Sequence, residues 1–274
     1  MSIVAEPTSR GTVLKEVRTR AVDWIPAIIV FCAAIVVWQV SIEVFNIQKF
    51  LLPKPASIAS AFYTQRSTLW SAGWLTLKEA LGGFAIGGLL GIAFAVVLAR
   101  FRRLAAALLP IAIAANAIPI IAFSPIFNAW FDPLSLSPRM ATAAVLCFFP
   151  VFVNTLRGLT SVRPAQIELM RSYAAGDLEI FRRVRVPTAL PFVFAALKVA
   201  TVLAMIGAIV SDYFGTFGSL GITIKNSVSL FDFETAWAAI LTASILGVLM
   251  YVAVAVVERF ALRWDPSRQE RGTA

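Results

Sequence analysis

A chain of 274 residues that is 59% hydrophobic and 14% charged, with a mean hydropathy of +0.82, is too apolar for a soluble domain, which carries about one quarter charged residues. Its length suits five to seven membrane-spanning helices of about 20 residues and leaves no room for a large soluble domain. Histidine is absent, which removes the commonest general base and metal ligand; carboxylates are not clustered either, so neither an enzyme nor a metal centre is expected. No G-x-x-x-x-G-K-[ST] occurs, so the chain has no ATP-binding P-loop and no cofactor of its own.

Residues 1–23 read as a polar tail holding Arg10, Lys15, Arg18 and Arg20. The apolar run 24–45 is too long for the core of a signal peptide and reads as a first, uncleaved span. Five further spans follow at about 72–99, 104–130, 139–156, 191–212 and 236–258, and a tail at 261–274. This predicts an all-α integral membrane protein with a transmembrane domain over 24–260. In the second span Gly83, Gly87, Gly91, Ala95 and Ala99 recur every four residues, a stripe that lets helix backbones approach closely. Lys78 and Glu79, at the outer end of that span, are expected to snorkel to the interface. Cys32 and Cys147 both lie in apolar runs and are expected to be buried, unpaired and inert.

The third span carries Asn116, Ser124 and Asn128 at a spacing of four, with Pro119 and Pro125 between them. Polar groups in a bilayer must face protein or water. Two readings stand: the face lines a translocation path, or it makes hydrogen bonds between helices. Lys198, about 10 Å past Pro191 along the fifth span, either snorkels to the cytoplasmic face or faces a cavity or an anionic substrate. Asp212, fourteen residues further on, lies at the outer mouth, where it can anchor the Gly215–Gly221 loop as an outer gate.

Orientation follows from the basic residues. With the N-terminus inside, four lie in the first tail, three at 100–103, six at 157–185 and four from Arg259 to the end, so seventeen of 24 are cytoplasmic. That puts both termini inside, assigns the net charge of +9 to the membrane surface, and removes the case for nucleic acid.

Residues 157–190 form a long cytoplasmic loop between the fourth and fifth spans. Ile167, Met170, Tyr173 and Ala174 fall on one helical face, Ala174-Ala175-Gly176 interrupts, and Asp177 can cap a second helix before Pro187 and Pro191. Two short surface helices are predicted. The residues alone suit a membrane-surface loop and a partner-docking helix equally.

The loop resembles the cytoplasmic motif E-A-A-x3-G-x9-I-x-L-P of ABC importer permeases. With Glu168 in the first position, the glycine position falls on Ala174, the isoleucine on Val184, the leucine on Val186 and the proline on Pro187, while Leu169-Met170 replace Ala-Ala. "FLLPKPASIASAF" (50–62), "AIPIIAFSPIFNAWF" (117–131), "FFPVFVNTLRGL" (148–159) and "SDYFGTFGSLG" (211–221) resemble permeases of the sulfonate, taurine, nitrate and pyrimidine-precursor group. The resemblance spans about 45–260. It implies a bacterial inner-membrane permease with six transmembrane helices and a coupling loop that uses Glu168, Met170, Tyr173, Ala174, Ala175, Gly176 and Pro187. It further implies a second permease subunit, two cytoplasmic ATPases that hold ATP and Mg, and an extracytoplasmic solute-binding protein. "ANAIPIIAFSPIFNAWF" (115–131) is closer to permeases for heterocycles such as pyrimidine precursors or riboflavin than to the sulfonate type. A self-contained secondary transporter or channel is the alternative; it predicts internal repeats and paired intramembrane charges.

Overall fold

The computed structural model describes residues 10–115, 118–119, 122–132, 135–215 and 218–262, without the side chains of 10–24, Arg102 and Ala106. Among these residues the chain is all-helical, with no strand. Eleven α-helices run in order: α1 Arg10–Val44, α2 Pro55–Thr64, α3 Arg66–Ala99, α4 Arg102–Ala115, α5 Phe123–Trp130, α6 Ser137–Thr160, α7 Pro164–Ser172, α8 Asp177–Ile180, α9 Val186–Asp212, α10 Leu220–Ser229 and α11 Phe233–Ala261. A π-helical turn, Phe181–Arg185, joins α8 to α9.

Five helices among the described residues are long and apolar enough to cross a bilayer: Ile25–Val44, Arg66–Ala99, Ser137–Thr160, Asp177–Asp212 and Phe233–Ala261. The expected third span, 104–130, is instead two shorter helices, α4 and α5, with Ile118-Pro119 non-helical between them. Pro119 lacks an N–H and pushes the residue before it out of the helical region, so the ladder stops there. The α3 helix has 34 residues, about 51 Å, and begins earlier than the apolar run suggests.

α3, α6 and α9 form the centre. The glycine stripe faces α6: Gly83 lies against Ala143, Gly87 against Ala144 and Cys147, and Gly91 against Phe148 and Val151. The numbers rise together, so α3 and α6 run parallel. α9 runs antiparallel to α6, since Gly207 meets Ala143 while Gly158 meets Ala189. α11 runs parallel to α3: Gln65, at the start of α3, bonds the Thr235 hydroxyl, and further along both helices Thr242 and Leu246 lie beside Gly73. The core between them is built from small side chains such as Ala80, Ala196, Ala200, Ala204 and Ala208, which permit close helix approach without a large apolar driving force. α1 leans on this body near its C-terminal end, where Trp38 meets Trp237 edge-on at 5.5 Å. Most of its side chains over residues 25–44 are exposed, including Cys32, so that thiol is not buried as expected; Cys147 is buried and its Sγ lies 3.2 Å from the Ala200 carbonyl oxygen.

The stripe yields a sharp contrast. A Cβ on Gly87 would collide with the Ala144 carbonyl oxygen, a backbone atom that cannot swing aside, whereas one on Gly88 would sit 3.5 Å from Leu197 Cδ2, an ordinary contact. Gly87→Leu is expected to cost about 3 kcal/mol by forcing α3 and α6 apart. Gly88→Ala is expected to leave stability unchanged or to raise it by up to about 1 kcal/mol through helix propensity. Thermal unfolding in detergent measures both.

Candidate functional site

Two regions collect the unusual chemistry, one at each end of the α3–α6–α9 core. At the first, α6 ends at Thr160 and the chain turns into α7 through Arg163, with Pro164 at the first helical position. Tyr173 caps α7, and Ala174 follows with φ +56°, in the left-handed region. Ala175 N–H donates to Met170 O at 3.1 Å and Ala174 N–H to Arg171 O at 2.9 Å, a Schellman pair around a left-handed residue. This is the position at which the permease motif has glycine, and the physical reason is now plain: glycine takes positive φ without steric cost. Ala174→Gly is therefore expected to stabilise the turn by about 1 kcal/mol, read as slower amide exchange at Ala174 and Ala175.

Gly176, with extended backbone, is the cap residue of α8; Asp177 occupies the first turn instead, with no side-chain cap bond. Its charge still suits a helix N-terminus, and it lies 4.0 Å from Arg100 at the end of α3. The π turn falls where Pro187 and Pro191 withdraw two backbone donors, and the Thr188 hydroxyl donates to Val184 O at 2.7 Å in partial compensation. Of the candidate coupling residues, Glu168, Tyr173, Ala174 and Gly176 are exposed, while Met170 and Ala175 are half-buried, as is Pro187. The expected apolar face is split. Ile167 and Met170 turn towards the body, whereas Leu169 (57% exposed) and Tyr173 (77%) point away from it.

At the opposite end lies a buried polar layer. The Arg139 guanidinium, 1% exposed, sits 3.7 Å from a Glu79 carboxylate oxygen and 3.6 Å from Asp212 Oδ1, and also donates to Ser135 O. Thr76 Oγ1 donates to Asp212 Oδ2 at 3.2 Å and accepts Leu220 N–H at 3.0 Å; Gly221 N–H reaches Asp212 Oδ2 at 3.4 Å. Ser124 and Thr142 hydroxyls both bond the Ser211 hydroxyl, at 3.0 and 3.2 Å. The network thus ties α3, α5, α6, α9 and the start of α10 together. A Cβ on Gly215 would strike the Arg139 guanidinium, and one on Gly221 would stand 2.6 Å from Ile209 O, so the start of α10 packs this closely on α9 only with glycine at 221.

Of the candidate path residues, Ser124 and Asp212 meet in this layer. Asn128 sits one turn beyond Ser124 and donates to its carbonyl at 2.8 Å, while its buried Oδ1 has no partner among the described residues. Asn116 lies outside the described residues. Lys198 is far from the layer: its Nζ makes a 2.9 Å ion pair with Glu258 of α11, whose side chain is 8% exposed. Glu79 does not snorkel, because Arg139 and the Asp212 cluster draw it inward; Lys78 next to it is exposed, over the Trp74 ring at 5.6 Å. Sequence reasoning missed Arg139 and Glu258. The available signal was a charge near the end of each apolar run, which does not say what it meets. No group of three metal-ligating side chains occurs among the described residues.

Residues 87–263 match the family described as the binding-protein-dependent transport system inner membrane component. Among curated proteins, the riboflavin transport system permease protein RibX of Chloroflexus aurantiacus is 31% identical over 235 residues, covering 85% of this chain and 87% of RibX. The formylaminopyrimidine transport permease protein ThiX of Halalkalibacterium halodurans is 32% identical over 242 residues, covering 85% and 93%. The putative aliphatic sulfonates transport permease protein SsuC of Escherichia coli is 27% identical over 236 residues, covering 85% and 89%. Among solved structures, a chain of the inward-facing MetNI methionine ABC transporter superposes with a TM-score of 0.59 at 19% identity, over 72% of this chain and 97% of that one. A chain of an amino acid ABC transporter gives 0.56 at 18% identity, over 72% and 95%. The chain belongs to the binding-protein-dependent inner-membrane component family: it is a multi-pass ABC transporter permease, resembling the sulfonate and pyrimidine-precursor group.

Proposed function

We propose that this chain forms the translocation path of an ATP-driven importer and is coupled to partner ATPases through Glu168–Pro187. The observation that carries the coupling reading is the left-handed backbone at Ala174, where the motif has glycine, between two short helices with exposed Leu169 and Tyr173. A second permease copy, or a similar partner, completes the path. Two cytoplasmic ATPases hold ATP and Mg, and a solute-binding protein delivers substrate from outside.

Six crossings with both termini cytoplasmic fit the geometry. Because α3 and α6 run parallel, the chain between them must return across the bilayer, and the broken α4–α5 pair supplies the helices between them among the described residues. The α7–α8 end then faces the cytoplasm, with its arginines. Broken helices in membranes line cavities, and one of about 360 Å3 lies against this break. Its described lining includes Ala115, Ile118, Phe123, Phe148 and Phe149 and no charged side chain. A sulfonate or nitrate would be stripped of water there with no cation to meet it, whereas a neutral planar ring can stack on the phenylalanines. This favours a heterocycle, pyrimidine-like or flavin-like. Asn128 and the Ser124 hydroxyl lie further along α5 towards the polar layer, which closes the outer mouth.

The test is extraction of the chain from its native membrane in mild detergent. A P-loop ATPase and a binding protein carrying a neutral heterocycle are the expected companions. If no ATPase accompanies the chain, and the chain alone transports in proteoliposomes, the secondary-transporter reading replaces this one. If the binding protein carries a sulfonate, the substrate assignment falls and the importer assignment stands.

A further inference from the structure

We infer that the hollow between the end of α3, α7 and the α8–π segment binds an anionic phospholipid, its phosphate held by Arg100, Arg171 and Arg185. The inference rests on the orientation proposed above, which sets this end in the cytoplasmic leaflet. The hollow has a volume of about 430 Å3 and opens beside a second of about 320 Å3. Arg100, Arg171 and Arg185 line both. The acids facing them are Asp177, which stands 4.0 Å from Arg100, and Glu168, which lines the second hollow. The Arg171 and Arg185 guanidinium groups have no ion pair or hydrogen bond among the described residues, and Arg185 is half-buried. A guanidinium partly withdrawn from water without an anion is costly, so the site calls for one.

The walls decide what carries the anion. Val96, Ala99, Ile167, Leu178 and Phe181 line the hollow together with the arginines, and the exposed Val97 on α3 and Phe101 just past its end are neighbours of these lining residues in sequence. A free phosphate has no use for such walls; a glycerophospholipid, with a charged head and acyl chains, matches both halves. Basic pockets between spans on the cytoplasmic side take anionic lipid headgroups for this reason. An acidic side chain of a partner protein fits less well. Ile167 and Arg171 occupy the face of α7 turned to the body, whereas Leu169 and Tyr173 on the opposite face are open to a protein partner. One helix then reads the lipid on one side and its partner on the other, and lipid in the hollow would fix α7 against α3.

The experiment uses the full-length chain, delipidated in detergent and titrated with phosphatidylglycerol or phosphatidylcholine, with bound lipid counted by native mass spectrometry. Wild type is expected to retain phosphatidylglycerol selectively. The double variant Arg171→Gln, Arg185→Gln is expected to bind it more weakly by on the order of tenfold or more. Arg163→Gln, exposed and outside the hollow, is expected to bind as wild type does. A photoactivatable phosphatidylglycerol should label peptides spanning 96–101 and 167–185 in the wild type, which keeps the test valid if the double variant misfolds. Equal retention by wild type and double variant, or labelling elsewhere, overturns the site. Displacement by inorganic phosphate alone would make it a free-anion site, and displacement on adding the copurified ATPase would make it a protein contact; either result overturns the lipid assignment. Loss of selective lipid binding with the ATPase still copurifying refutes only this inference, whereas failure of the ATPase to copurify strikes the importer reading.

Discussion

Replacing Arg139 with methionine is expected to destabilise the folded chain by about 3–5 kcal/mol. The guanidinium is the one cation between Glu79 and Asp212 in the network described, and all three side chains are 1% exposed or less. Methionine fills much of the same volume, so the loss is electrostatic: two carboxyl groups then share a dry site with the Thr76 hydroxyl and the Gly221 N–H. The same reasoning gives a rescue. The triple variant Glu79→Gln, Arg139→Met, Asp212→Asn removes the unbalanced charge and is expected to recover most of the loss, because replacing a whole buried ion group is often neutral. Unfolding in detergent, followed by the fluorescence of the chain's seven tryptophans, reports both variants. If Arg139→Met unfolds at the wild-type temperature, the layer does not hold α3, α6 and α9 together. If the single and triple variants fall equally, shape rather than charge is what matters there.

That layer shows where sequence reading stops. The glycine stripe was legible because period-four spacing on one helix defines a face without any knowledge of its neighbour, and the structure sets α6 against it. The break after α7 was legible as small residues at 174–176, and the resemblance put the motif's glycine position on Ala174; the left-handed backbone there is what the structure adds. Glu79, Arg139 and Asp212 belong to three helices, and nothing local to any of them announces the other two. Glu79 looked like a residue at a span's outer end because its surroundings in sequence are apolar; its real neighbours are not. Lys198 and Glu258 repeat the lesson at the other end of α9, where a lysine that looked solitary in its span meets an acid on α11. The third span failed differently. Its prolines were visible, but hydropathy averages over a break, so 104–130 read as one segment rather than α4 and α5. On α7, periodicity found the apolar positions but could not say which side met the body: Ile167 and Met170 pack inward, and the outward pair is Leu169 and Tyr173.

That outward pair sets the second large effect. Leu169→Asp and Tyr173→Asp are each expected to weaken association with the ATPase about thirtyfold or more, which corresponds to about 2 kcal/mol for a docking residue at the centre of a contact. Both side chains are mostly exposed and four residues apart on α7, so they form one small ridge that a groove can accept. Removing them takes nothing from the permease's own core, and its unfolding temperature should not move. Ile167→Asp supplies the opposite control. It places a charge on the face turned to the body, so it should loosen α7 from α3 and lower thermal stability. Quantitative copurification separates the cases. If the outward variants lose the ATPase while keeping wild-type stability, α7 is a docking ridge and the closing motion of the ATPase reaches α9 through α8, the π turn and Pro187. If they keep the ATPase, the force must enter elsewhere. In that case the Schellman turn at Ala174 serves only to hold the loop against Arg100, just past α3, and Arg185 of the π turn.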